Sequence, residues 1–182
     1  MILFFGPAGA GKSVQGQILS ARMGWRWLSA GQLLRDTHDA ELLQIMHEGT
    51  MVPHERIVEI IGRAIKNSTD VDKIILDGFP RQLEQAQWLV ESQPDHGQSI
   101  GLVVILEVPR EELLKRLAIR GRADDTPEAI DNRLNQYRQE IYPILMYLTD
   151  QNIPVAHIDG SGTVGEVHDR IVAELTSRSL AA

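Results

Sequence analysis

Lys12 and Ser13 close the run "GPAGAGKS" at residues 6–13. Gly6, Gly11, Lys12 and Ser13 match the spacing G-x-x-x-x-G-K-[ST]. Glycines let a main chain approach an anion closely and adopt positive φ. The N–H groups of such a loop, and of a helix starting directly after it, converge on phosphate oxygens. Lys12 supplies a point charge for the outer phosphates, and the Ser13 hydroxyl can reach a magnesium ion. Gly9, Ala10, Gly11, Lys12, Ser13 and Val14 are therefore expected to hold the phosphates of a nucleoside triphosphate. The motif alone does not choose among a kinase, a GTPase and an ATPase motor.

The elements that must position this loop are legible in the apolar pattern. "MILFFG", "WRWLSAG", "KIILDGF", "GLVVILEV" and "PVAHIDG" each read as a strand of about five residues. "GLVVILEV" is almost continuously apolar, as expected of a strand buried on both faces. Helical spacing separates the strands: Val14, Ile18 and Leu19 after the glycine loop, and Ile130, Leu134, Tyr137 and Ile141 later. Gly24 is placed to close the first helix. Thr126, Pro127 and Glu128 are a cap, a first-turn proline and a first-turn acid for the later one. Alternating strands and helices predict a single P-loop domain over 1–182, a three-layer α/β/α fold around a five-stranded parallel sheet. The helical stretch 31–66 is too long for a simple crossover and reads as an inserted lobe. The closing "SRSLAA" is expected to fray.

Composition narrows the class. The 182 residues carry a net charge of −7, which argues against a nucleic-acid partner but allows a small anion in a locally basic cleft. There is no cysteine, so disulfides, thiol nucleophiles and cysteine-based zinc sites are excluded. The six histidines form no pair at helical ligand spacing, and no zinc is expected. Trp25, Trp27 and Trp88 read as packing residues. No apolar run is long enough to span a membrane, and "MILFF" lacks the features of a signal peptide. A cytoplasmic location, no membrane partner and a monomeric state are expected.

Three further motifs select among P-loop proteins: "LSAGQLLR" at 28–35, "LDGFPR" at 76–81 and "RGRADD" at 120–125. With "GPAGAGKS", in this order along essentially the whole chain, they resemble the nucleoside monophosphate kinases, and the adenylate kinases most of all. The resemblance implies reversible, magnesium-dependent phosphoryl transfer, ATP and AMP giving two ADP, with Mg2+ as cofactor and nucleotides as the only partners. It implies a monophosphate-binding lobe at 31–66 and a minimal lid at 117–127. Lys12, Arg81, Arg120, Arg122 and Arg133 would be catalytic. Arg116 and Gly162 would join the phosphate loop in binding ATP. Ala30, Arg35, Val52, Gly78, Arg81 and Gln85 would bind AMP. Ser13, and Asp77 through bound water, would hold the metal. The chemistry agrees: the attacking phosphate oxygen is already anionic, so the reaction needs cations and positioning rather than a general base. Arginine forks meet two phosphate oxygens at once. Arg116 beside Lys115 could instead solvate a helix face, and Arg133 could serve a surface salt bridge.

The chain departs from the family pattern in four ways. Val14 stands where a hydroxyl is usual, Ala30 where threonine is usual, and Gln32 where aspartate is usual. Only Gly121 separates Arg120 from Arg122, so the lid is very short and should exclude water incompletely. Ala30 resembles the uridylate/cytidylate kinases, whereas the Gln85 amide can pair with an adenine edge. A UMP/CMP kinase, or a nucleotide-binding regulatory protein without turnover, are the alternative readings.

Overall fold

A computed structural model describes residues 1–121 and 126–181. In chain order these form β1 (Ile2–Phe5), α1 (Lys12–Met23), β2 (Arg26–Ser29), α2 (Ala30–Asp36), α3 (Ala40–Glu48), α4 (His54–Lys66) and β3 (Ile74–Asp77). There follow α5 (Leu83–Glu91), α6 (Gln93–His96), β4 (Leu102–Glu107), α7 (Arg110–Arg120), α8 (Pro127–Asp150), β5 (Val155–Asp159) and α9 (Val164–Ser177). The five strands form one parallel sheet in the order β2-β3-β1-β4-β5. All five fall on the apolar runs read from the sequence.

Strand residues alternate faces, so a parallel strand under two helical layers must be apolar on both. In β1, Ile2 and Phe4 join one core with Leu19 of α1, Leu113 of α7 and Val167, Ile171 and Leu175 of α9. Leu3 and Phe5 join the opposite core with Leu34 of α2, Ile57, Ile61 and Ile65 of α4, Leu89 of α5 and Ile144 and Leu148 of α8. Trp88 packs edge-on against Phe79. The two cores fix the sheet, and the sheet fixes its carboxyl edge, where an open α/β fold binds ligands. The loops after β1, β3 and β5 all leave from that edge.

The first helix ends at Gly24 with φ 69°, and Thr126 caps α8 by accepting from the Ala129 N–H at 3.2 Å. The stretch 31–66 holds α3, α4 and all of α2 but its first residue, Ala30.

The C-terminal segment corrects an expectation. Instead of fraying, residues after α9 fold back on it. Ser179 takes φ 57°, its N–H donates to Thr176 at 3.0 Å, and the Leu180 N–H donates to Leu175 at 2.9 Å. This paired bonding satisfies the last carbonyls of α9 and delivers Leu180 against the core. The sequence reading missed it because the turn uses serine, not glycine, in the left-handed position.

Candidate functional site

The glycine loop leaves β1 and turns directly into α1, whose first residue is Lys12. Gly9 holds φ +86°, and a Cβ there would sit 3.1 Å from both the Leu113 carbonyl oxygen and the Leu117 side chain. Only glycine lets the loop lie this tightly against α7. Lys12 Nζ donates back to the Gly6 and Pro7 carbonyls, at 2.7 and 3.0 Å. The lysine thus bridges back across its own loop. Burial lowers its pKa to about 8, and Arg81 and Arg120 push the same way against the opposing pull of Asp77. Ser13 Oγ donates to Asp77 Oδ2 at 2.6 Å, joining the start of α1 to the end of β3.

These groups open onto a cleft of about 540 Å³ along the carboxyl edge of the sheet. Every described residue expected from the sequence lines it: Gly9 through Val14, Ala30, Arg35, Val52, Asp77, Gly78, Arg81, Gln85, Arg116, Arg120, Arg133 and Gly162. Arg122 and the core of the expected lid, residues 122–125, lie outside the described residues. Among the described lining residues six cations face a single carboxylate, Asp77. A chain that is acidic overall has therefore gathered positive charge in one concavity, which favours a polyanionic ligand.

The arginines arrive from different elements. Arg35 comes from the last turn of α2, Arg81 from the turn before α5, Arg116 and Arg120 from α7, and Arg133 from α8. Arg81 Nε donates to the Gly78 carbonyl at 2.9 Å. Burial within the cleft walls lowers the Arg81 pKa, a pull partly offset by Asp77 and reinforced by Arg133 and Arg35. Arg133 Nη2 donates to the Met46 carbonyl near the end of α3, at 3.2 Å. Arg116 is also more than a solvated face: Nε pairs with Glu112 at 2.9 Å while Nη2 donates to Gly160 at 3.0 Å, beside Gly162.

Two departures from the expected pattern acquire surroundings. Gln32 accepts from Arg35 at 3.3 Å and donates to Asp36 at 2.7 Å, so a neutral amide bridges the arginine where a carboxylate would hold it by charge. Val14 is half exposed and faces the cleft with two residues that sequence reading did not single out, Ile119 and Val164. Three exposed apolar side chains lining the cleft would suit the flat face of a base. Gln85 is buried, its oxygen accepting from the Arg81 N–H at 2.8 Å and its amide donating to Gln82 at 2.9 Å. To meet a base, the amide would exchange Gln82 for the ligand. Sequence reading also missed Met46, Gly49 and Met51 in the cleft wall; they belong to an insertion with no phosphate-binding pattern of its own.

A glycine loop at the carboxyl edge of a parallel sheet, with arginines from several elements lining the same cleft, is the arrangement of a P-loop phosphotransferase fold. Comparison with known proteins narrows the class. The "Adenylate kinase" family model matches residues 4–153. The chain is 37% identical to an adenylate kinase of Mycolicibacterium paratuberculosis over 96% of its own length and 98% of the relative's. The identity is also 37% to that of Thermus thermophilus, covering 96% of both chains. It is 39% to that of Mycobacteroides abscessus, covering 93% and 95%. The chain belongs to the adenylate kinase family and is a phosphotransferase.

No group of histidine, cysteine, aspartate and glutamate capable of holding a metal ion by itself occurs among the described residues. Nor is any helix among them long and apolar enough to cross a membrane.

Proposed function

We propose that this chain transfers the terminal phosphoryl group of ATP to AMP, giving two ADP, and acts as a monomer. One observation carries the reading: Gly9 to Ser13 and the Arg35–Arg81 pair line one cleft, close enough for Arg81 to act on the Lys12 charge and Arg35 on that of Arg81. A protein that only bound ATP would have no need of the second cationic wall. All of that wall comes from one chain, which supports action without a partner subunit.

In the proposed reaction, Gly9 to Ser13 wrap the triphosphate and Lys12 neutralises its outer phosphates. Arg35 and Arg81 fork onto the monophosphate and aim one of its oxygens at the terminal phosphorus. The new P–O bond forms in line with the breaking bond to the ADP oxygen, and no proton must be removed first. Arg120 and Arg133, with Arg122 if the family pattern holds, balance charge on the moving group. The oxygen donors Ser13 and Asp77, already 2.6 Å apart, fit a hydrated magnesium ion. When held by Ser13, and by Asp77 through bound water, that ion would neutralise phosphate charge. Gly162 and Arg116 would hold the donor base, and Ala30, Val52, Gly78 and Gln85 the acceptor nucleoside.

The test is phosphoryl transfer from Mg-ATP to AMP, UMP, CMP and GMP separately. ADP formation with AMP as the best acceptor is expected. Turnover with UMP or CMP alone would replace Gln85 by Ala30 as the informative position, and no turnover would favour a regulatory protein. Residues 117–127 would act as a minimal lid. ATP hydrolysis without acceptor should then be faster than in a long-lid relative, and an equal or slower rate contradicts that assignment.

A further inference from the structure

The reaction just outlined makes no use of a buried polar chain behind the phosphate loop. Gln15 and His168 are 2% and 4% exposed, on α1 and α9, in the layer whose apolar members include Leu19, Val167 and Ile171. Gln15 Nε2 donates to the Val164 carbonyl at 2.9 Å. His168 Nδ1 lies 3.1 Å from Gln15 Oε1, and Arg22 Nη1 lies 2.7 Å from His168 Nε2. Chemistry fixes the direction. A carbonyl only accepts, so Gln15 must turn its NH2 to Val164 and its oxygen to His168. Nδ1 then carries the imidazole proton, and Nε2 offers its lone pair to the Arg22 guanidinium.

The relay joins two walls of the cleft. Gln15 lies within one turn of Lys12 and Ser13, and Val164 opens α9 directly after Gly162 and Thr163; all of them line the cleft. Apolar side chains fill the rest of this seam, and buried polar groups are costly unless every partner is in place. Two such groups in series therefore hold one geometry or lose it together.

We propose that Gln15 and His168 are positioning residues that set the base-side loop Gly160–Val164 against the phosphate loop, and that they do so only while the imidazole is neutral. The proposal rests on the reading that this end of the cleft holds ATP. A second proton would set an N–H of His168 against an N–H of Arg22, and charge against charge. The charged groups that reach His168 are Arg22 from α1 and Asp169 from α9 itself; β5, packed against α9, presents apolar Ala156 and Ile158 to that layer. Burial first and Arg22 second lower the His168 pKa, with Asp169 opposing, so the neutral form is the resting one.

His168→Asn keeps a donor where Nδ1 stands, whereas His168→Gln reaches the Nε2 position and loses Gln15. With ATP varied at saturating AMP near neutral pH, the glutamine variant should raise KM for ATP roughly tenfold, as expected for one unmade buried hydrogen bond. Its kcat and KM for AMP should move little. The asparagine variant should restore KM for ATP and remove its rise at acid pH. In the wild-type chain, the His168 ring is titrated by NMR with and without a non-hydrolysable ATP analogue. Reciprocity requires the analogue to lower the His168 pKa further. Equal KM values in the two variants, or a His168 titration indifferent to the analogue, overturns the proposal. If instead no monophosphate is phosphorylated at all, the kinase reading fails, while analogue affinity of the same variants still tests the relay.

Discussion

The two ends of the cleft are built by different means. The end expected to take the triphosphate is contiguous in sequence, Gly9 to Val14, and presents mainly backbone. The loop is tied to its own carbonyls through Lys12 and to β3 through the Ser13–Asp77 hydrogen bond. The end expected to take the monophosphate draws Ala30 and Arg35 from α2, Val52 from the segment before α4, Arg81 from the turn before α5 and Gln85 from α5, and its outer wall, α3, touches α8 lightly. Arg133 reaches Met46 at 3.2 Å, Asn132 reaches Glu48 at 3.5 Å, and Gly49 lies against Ala129. One end is preorganised by local chain geometry, and the other depends on how an inserted helical segment docks. Rigid preorganisation suits charge stabilisation, and a lightly docked wall suits entry and release.

The comparison breaks most severely at Lys12. Lys12→Met should lower kcat/KM roughly 10^3-fold in the transfer assay, since in the proposed reaction the lysine meets the phosphates where charge moves. The same variant tests the buried charge. The free chain sheds the Lys12 proton as pH rises through about 8, whereas the unfolded chain keeps it to 10.5. Wild-type stability, followed by urea unfolding, should therefore gain between those values an increment that Lys12→Met lacks. An equal pH profile in both proteins would show that Lys12 is not desolvated.

At the opposite end, Arg81→Ala should cost about 10^2-fold in kcat/KM, the loss typical of one donor aimed at the reacting phosphate. KM for AMP should rise far more than KM for ATP. Equal effects on both nucleotides would erase the distinction between the two ends.

A matched pair of glycine replacements sharpens it. A Cβ on Gly16 would fall 2.4 Å from Trp27 Cδ1, inside the rigid end. Gly16→Ala gains about 1 kcal/mol of helix propensity, yet overpacking of about 1–3 kcal/mol outweighs it, so the melting temperature should fall. Gly49 has φ +69°, and its Cβ would meet the Ala129 carbonyl oxygen at 2.9 Å. Gly49→Ala should weaken docking of α3 and raise KM for AMP about tenfold, with a smaller change in melting temperature than Gly16→Ala produces. The smallest effect belongs to Val14→Thr: a half-exposed side chain should change KM for ATP by no more than about threefold, measured with AMP saturating.

The phosphate loop was legible because its chemistry is local. Spacing alone places Gly11, Lys12 and Ser13 at a strand-to-helix turn, and the apolar runs place all five strands. Arg35 and Arg81 were readable only as members of motifs, since nothing in their immediate neighbours says that they converge. The Gln15–His168 relay spans 153 residues and left no local trace. Ser179 hid the C-terminal turn for a related reason: a serine in the left-handed position carries no signal until Leu180 finds the core.

The sequence by itself determined the alternation of strand and helix, the glycine loop at a strand-to-helix turn and the surplus of arginines, because each follows from periodicity, backbone freedom or side-chain charge within a few residues. Only the tertiary structure decided that, among the described residues, six cations share one cleft with one carboxylate, that Arg133 reaches the end of α3, and that a buried imidazole stands behind the glycine loop. Those outcomes depend on the distance and burial of residues far apart in the chain. Two opposed apolar cores set both by packing the helices around a single twisted sheet.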